Sequence, residues 1–400
     1  FCSYIYAGTP GRGLCWFASN DRNWSRDPDT ANLRMVRRGD EIVLEVRLIN
    51  KPLVIEEPRT ITFGLLAAPA KPRLDQERWR FAFQRGRYSP VVTSVNWGSI
   101  SWASCYYPPE KDLLVWRKLR EANRRRLSKE ELQEVIEHYK PYAEPYKVVE
   151  RFGRTWDEAY VATLRHNLGG ARHNRRMIFY YNRACNVTQP EFLTYRDEWD
   201  LNDFRQDIPT GGKYDLGEHK IVPTESYLNF ALYWYGRAFD VAGSRGVYWD
   251  NMFFRASYNT HTTPAYKKTD GGVVPSTGIW GLRELTKRTF QYMNERGMKP
   301  ITMPHITSTN ILPIYSFTTV TFDWEWHSDN EGTLQDAFSP QYVAAVTSGE
   351  LAGAWPVVMG NPVPNDAEGM RTFAAGAAVH DVYGAKARWR GPWGWALLRP

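Results

Sequence analysis

Two stretches of the chain concentrate the side chains that acid–base chemistry needs. The first is Arg245-Gly246-Val247-Tyr248-Trp249-Asp250-Asn251, a short run of β-formers that stops at a carboxylate and an amide. Val, Tyr and Trp favour a pleated, half-buried strand, whereas Asp and Asn favour its end. The second is Asp323-Trp324-Glu325-Trp326-His327, two carboxylates interleaved with tryptophans. Paired carboxylates are what glycosidic bond cleavage requires: one stabilises or attacks the oxocarbenium-like carbon, and the other protonates the leaving oxygen. On that chemistry Asp250 is the nucleophile or stabiliser. Glu325 is the general acid and Asp323 its competitor, because residues two apart on a strand share a face. Trp324 and Trp326 would raise the Glu325 carboxyl towards neutrality by excluding water. The plain alternatives are that Asp250 caps a turn and that Glu325 alternates with Trp324 on an exposed edge strand.

More polar and aromatic residues fall at the ends of other expected strands: Asn96 and Trp97, Asn182 and Arg183, and His305 after Met303-Pro304. With Tyr248, Asn251, Trp324 and Trp326 they make a candidate sugar-binding rim, aromatic faces stacking on sugar rings and polar groups fixing orientation. Trp102, Tyr106 and Tyr107 serve equally as stacking platforms or as core. His305 reads either as a sugar ligand or as a satisfied structural histidine. His261, in a loop, ranks below it.

These residues need a scaffold, and the chain supplies two rhythms. Up to about residue 75 the pattern is antiparallel β. Leu33 to Val36, the turn Arg37-Arg38-Gly39-Asp40 and Glu41 to Asn50 form a hairpin, with Ile42, Leu44, Val46 and Leu48 on one face. Ile61 to Leu66 adds a strand. Cys2 and Cys15 flank a turn-rich segment, placed either to bridge across a hairpin or to stay small buried thiols. From about residue 90, strands and helices alternate. The strands are Val91–Trp97, Met177–Tyr181, the Val247 run, Pro300–Pro304 and Phe317–Phe322. The helices are Asp112–Tyr139 with a Ser128/Glu131 capping box, Thr155–Asn167 with a Thr155/Glu158 box, Thr224–Ala242, Ile279–Arg296 closed by Gly297, Pro340–Ser348 and Ala367–Ala378. Such alternation predicts a parallel sheet, most economically a distorted (β/α)8 TIM barrel over 76–400 behind a β-sandwich-like domain at 1–75. The aperiodic 182–223 segment is the expected active-site loop.

Composition narrows the classes. The chain has 400 residues, 42% hydrophobic, with aromatics at 14% including 17 Trp. Its net charge of +7 is modest, and the Arg-rich 117–126 segment is interleaved with glutamates like a solvated helix face. No nucleic-acid motif accompanies that charge, while an acidic, sulfated or N-acetylated glycan stays open as substrate. Cysteine spacing offers no metal site, and no cofactor is expected. No run is apolar enough to span a membrane. The start at Phe1, without Met, predicts a longer precursor that supplies the remaining sandwich strands, and a secreted, periplasmic or cell-surface product.

Several motifs together resemble an uncharacterised family of glycoside hydrolase-like proteins. Gly8 to Trp24 resembles its sheet segment, and Phe63-Gly64-Leu65-Leu66-Ala67-Ala68-Pro69-Ala70-Lys71-Pro72 its Pro-Lys-Pro junction ahead of the barrel. Gly246 to Asn251 resembles its Tyr-Trp-Asp strand, and Ser316 through Glu325 its Ser-Phe to Gly-Glu stretch, with the Arg283-Glu284 helix between. The resemblance covers most of the chain and implies a sandwich-plus-barrel glycosidase, more distantly akin to barrel hexosaminidases and endo-galactosaminidases. Trp324 replaces the family-like Gly before the acid, which leaves the choice between Asp323 and Glu325 open. No adjacent Asp-Glu pair follows the Phe317 strand, so catalysis assisted by a substrate acetamido group is not implied.

Overall fold

A computed structural model describes residues 1–72, 114–122, 124–143, 150–151, 154–155, 178–182, 186–187, 194–201, 219–250, 252–306, 309–323, 336, 338–358, 367–380 and 383–384. The fold is mixed α/β, built from several small sheets. Strands β1 (Tyr4–Thr9), β2 (Arg12–Phe17) and β5 (Gly64–Ala68) make an antiparallel sheet ordered β1-β2-β5. The hairpin of β3 (Leu33–Arg38) and β4 (Glu41–Val46) pairs Leu33 with Val46 and Met35 with Leu44. Its alternation works as the sequence predicts except at Ile42, which stands exposed. Leu33, Leu44, Val46 and Leu48 pack on Trp16 and Trp24, while Glu45 pairs with Arg34, Arg38 and Arg47 on the other face. The strand expected at Ile61–Leu66 forms two to three residues later, where Gly64 lets its backbone lie against the Phe17 ring (an added Cβ would stand 2.2 Å from it).

The second rhythm appears as parallel strands in chain order. β6 (Phe179–Asn182), β7 (Val247–Asp250) and β8 (Thr302–Pro304) form one parallel sheet with β7 central. β9 (Val320–Asp323), β10 (Trp355–Val358) and β11 (Tyr383–Gly384) form another. A parallel bridge between His305 and Phe322 joins the two. The expected closed eight-stranded ring is not found among the described residues, which give two three-stranded sheets linked edge to edge. The Val91–Trp97 strand lies outside them.

Helices fill the intervals. α1 (Leu114–Ala122) and α2 (Lys129–Ala143) are separated by the capping box, in which Ser128 N donates to Glu131 Oε2 at 2.8 Å and Glu131 N to Ser128 Oγ at 3.1 Å. α3 (Glu225–Arg237) is capped by Thr224 and relaxes into a wider turn over Ala238–Ala242 before β7. α4 (Ile279–Glu295) ends at Gly297 with φ 67°, the left-handed cap that glycine tolerates. α5 (Leu312–Tyr315) precedes β9. Pro340–Tyr342, continuing into a π-turn at Val343–Thr347, precedes β10, and α6 (Ala367–Val379) precedes β11. The Thr155 capping box does not form as expected: Thr155 sits in a two-residue strand opposite Glu150, and the residues after it lie outside the description.

The N-terminal sheet shares the central apolar core, through Cys15, Phe17 and Ala68. Cys2 and Cys15 do not face each other, because the β1–β2 register sets Cys15 opposite Tyr6, and both thiols are free. The Lys71 ammonium donates to the carbonyls of Ala352 at 2.6 Å and Tyr315 at 3.3 Å, and burial pulls its pKa down to about 8. Ser19, Asn20 and Asp21, just past β2, grip the chain that follows β7. Thr277 N donates to Ser19 O, Asn20 Nδ2 to Pro264 O, and the Tyr266 hydroxyl to Asp21 Oδ1.

Two tests follow from this packing. A Cβ at Gly246 would stand 2.1 Å from the Ile301 carbonyl oxygen, and backbone cannot swing aside. Gly246→Ala should therefore cost about 1–3 kcal/mol in urea unfolding, and an unchanged midpoint would show that β7 and β8 are not so closely set. Burial pushes the Cys15 thiol from 9.0 to about 12. A raised folded pKa gives stability that is complete below pH 9 and is lost as pH climbs from 9 towards 12. Lys71 acts in the opposite sense between about 8 and 10.5, so the readout is a difference: Cys15→Ala should flatten the alkaline fall in stability relative to wild type.

Candidate functional site

The site is built on the alternation of β7 and its neighbours. Trp249 turns to the helix layer, where its indole N–H donates to the Tyr235 hydroxyl of α3 at 2.9 Å. Tyr248 and Asp250 therefore share the opposite face. Beside them, His305 continues from the end of β8. Its Nδ1 lies 2.9 Å from Asp250 Oδ1 and 3.1 Å from the Tyr248 hydroxyl. The Phe322 ring from β9 closes the group, 4.7 Å from the His305 ring and 5.5 Å from that of Tyr248. The His305 side chain is 3% exposed and that of Asp250 11%, so the carboxylate is the more open end of the pair. Asn182 ends β6 in register with Asp250, although its side chain is outside the description.

Asp323 is not brought to Asp250. Phe322 faces Tyr248 and His305, so Asp323, the next residue, points the other way. Its carboxylate accepts from the Tyr342 hydroxyl at 2.9 and 3.2 Å and from Thr347 Oγ1 at 3.0 Å, both in the helical segment ahead of β10. Burial raises the pKa of the Tyr315 hydroxyl of α5 well above the ordinary value, and the Asp323 charge adds to the rise. The intervening β8 puts the backbones of β7 and β9 roughly 10 Å apart. Glu325, Trp324, Trp326, Asn251, Arg183, Asn96 and Trp97 lie outside the described residues. His261 is held in its loop by the Asn259 carboxamide oxygen, which accepts from its backbone N–H at 2.9 Å. Among the described residues no group of three or more His, Cys, Asp or Glu is placed to hold a metal ion, and no helix is long and apolar enough to cross a membrane.

No family model and no curated protein matches this chain. Solved structures align with parts of it. One is a Paenibacillus sp. cycloisomaltooligosaccharide glucanotransferase complexed with cycloisomaltoheptaose, 14% identical with a TM-score of 0.32, over 53% of this chain and 32% of that one. Another is a GH36 alpha-galactosidase from Geobacillus stearothermophilus in complex with raffinose, 11% identical with a TM-score of 0.34, over 67% of this chain and 38% of that one. The chain thus spans about a third of the length of each. At these scores the likeness decides neither an activity nor the closure of a barrel.

The sequence reading missed two parts of this arrangement. Tyr342 and Thr347 carry no motif, and only the helical spacing after Ser339 aims both towards β9. The Ser19-Asn20-Asp21 clasp left a faint signal, three polar residues directly after the buried run Cys15–Ala18. The placement of Asp323 gives a test. Asp323→Ala strands one buried and one half-buried hydroxyl donor, Thr347 and Tyr342, and should lower stability by about 2–4 kcal/mol. A urea midpoint within experimental error of wild type would mean that the carboxylate is not bound there in solution.

Proposed function

We propose that this protein is a glycoside hydrolase acting on an oligo- or polysaccharide. The observation that carries the reading is a carboxylate, Asp250, at the carboxyl end of the central parallel strand, held by a histidine from the next strand and 11% open. Carboxyl ends of parallel strands are where α/β enzymes place ligands and chemistry. Asp250 stabilises or attacks the anomeric carbon, and Glu325, two residues beyond β9, protonates the leaving oxygen. The six parallel strands in chain order, with helices in the intervals between β7 and β11, support a partial or distorted (β/α)8 barrel over 76–400 beside a β-sandwich-like unit at 1–75. Asn96, Trp97, Asn182, Arg183, Asn251, Trp324 and Trp326 complete the sugar rim in this reading. The protein works outside the cytoplasm, where such glycans occur.

One observation favours a second reading, a glycan-binding protein without turnover. Asp323 is committed to Tyr342 and Thr347, so a single predicted acid, Glu325, is left to complete the pair. The experiment that separates them is a glycan panel assayed for both binding and hydrolysis. Asp250→Asn keeps the shape and removes the charge, so it should leave folding intact and slow hydrolysis on the order of 10³-fold or more. Near wild-type turnover in that variant, or binding without any turnover by the wild type, rejects the hydrolase. Glu325→Gln should slow natural glycosides while sparing an activated aryl glycoside, which needs little protonation.

A further inference from the structure

Three polar groups meet at the end of β7, and their geometry assigns a proton. His305 Nδ1 faces both Asp250 Oδ1 at 2.9 Å and the Tyr248 hydroxyl at 3.1 Å. An ionised carboxylate only accepts, so Nδ1 carries the hydrogen and donates it to Asp250. The Tyr248 oxygen, facing the same nitrogen, is a second acceptor, and its own hydrogen turns elsewhere. In the neutral ring Nε2 is then the bare nitrogen.

The ring is also fixed mechanically. His305 N donates to Trp249 O at 2.7 Å, and the His305 carbonyl accepts from Met252 N at 3.1 Å. The residue is laced to β7 on both sides of Asp250. Phe322 packs on its ring, and its side chain is 3% exposed. A histidine held at its backbone, its ring face and one nitrogen has little freedom to leave Asp250 for a sugar hydroxyl.

We infer that His305 is the positioning residue for Asp250, holding the carboxylate through Nδ1–H, and that Tyr248 fixes the ring rather than the sugar. The consequence for rate rests on the hydrolase reading; the pairing itself does not. An aspartate free to rotate would present its oxygens to the anomeric carbon at a range of angles, and small misplacements of a reacting group cost about 10²-fold.

The test uses the full-length chain in two arms. In the first, the protein is labelled with 15N-histidine and the ring signals are recorded; there are eight histidines, and the one lost in His305→Asn is assigned. In wild type that signal should show the Nδ1–H tautomer, and Asp250→Asn should shift it towards Nε2–H. A tautomer indifferent to Asp250→Asn overturns the inference without reference to any substrate. In the second arm, an activated aryl glycoside that the wild type cleaves is used. His305→Asn keeps an N–H donor near the Nδ1 position and should lose less than about tenfold in kcat, whereas His305→Phe should lose about 10²-fold, with KM unchanged in both. His305→Asn as slow as His305→Phe overturns it, because the imidazole would then be needed as a base. A wild type that cleaves no glycoside while the tautomer shift is seen rejects the hydrolase and leaves the pairing standing.

Discussion

A carboxylate buried at the end of a strand has to be hydrogen-bonded or give up its charge. Asp250 stands in that position, and much of the surrounding architecture answers to it. Its partner comes from the adjacent strand because the parallel register sets Trp249 opposite Pro304, leaving His305 as the first residue past the pairing. That register in turn needs β7 and β8 in close approach, which Gly246 permits beside Ile301. Tyr248 and Phe322 fill the space beneath the histidine. The polar contact at the rim and the apolar contacts below it are therefore one arrangement, in which neither part is placed without the other.

The two-residue period of strands decides what each acidic group can reach. Asp250 and Tyr248 share a face, and Trp249 is given to the helices. On β9 the same rule hands Phe322 to the inner face and Asp323 to the outer one, where Tyr342 and Thr347 receive it. Two aspartates at the ends of nearby parallel strands thus have different neighbours and different work. Asp323 ties a helix to its strand, while Asp250 stays the more open of the two.

Much of this was legible in the residues. The caps at Ser128 and Gly297, the hairpin alternation from Leu44 to Leu48 and the strand ending at Asp250 all rest on local rules, and the chain obeys them. Other features needed information from elsewhere in the fold. Cys2 and Cys15 flank a real hairpin, but its register was invisible, and one Tyr6–Cys15 pairing undoes the bridge. Asp323 was placed at a strand end correctly, yet the facing of that strand depends on which side Tyr248 presents. Thr155 had the spacing of a helix cap and was taken by Glu150 for a strand. His305 reads from sequence either as a sugar ligand or as a satisfied structural histidine, and its contact with Asp250 through Nδ1 follows only from three-dimensional adjacency.

The grip of Ser19, Asn20 and Asp21 on the chain beyond β7 makes the N-terminal sheet a mechanical support for the rim. Asp21 holds Arg26 on its own side and receives the Tyr266 hydroxyl from the other, so the joint is a folded seam rather than a linker. Energetic coupling across such a seam runs both ways. Any ligand that stiffens the segment from Met252 to Thr277 also steadies the sheet, and any loosening of the sheet is felt as slack next to Asp250. A change in the outer strands is in this respect a change in the stiffness of the chain next to Asp250.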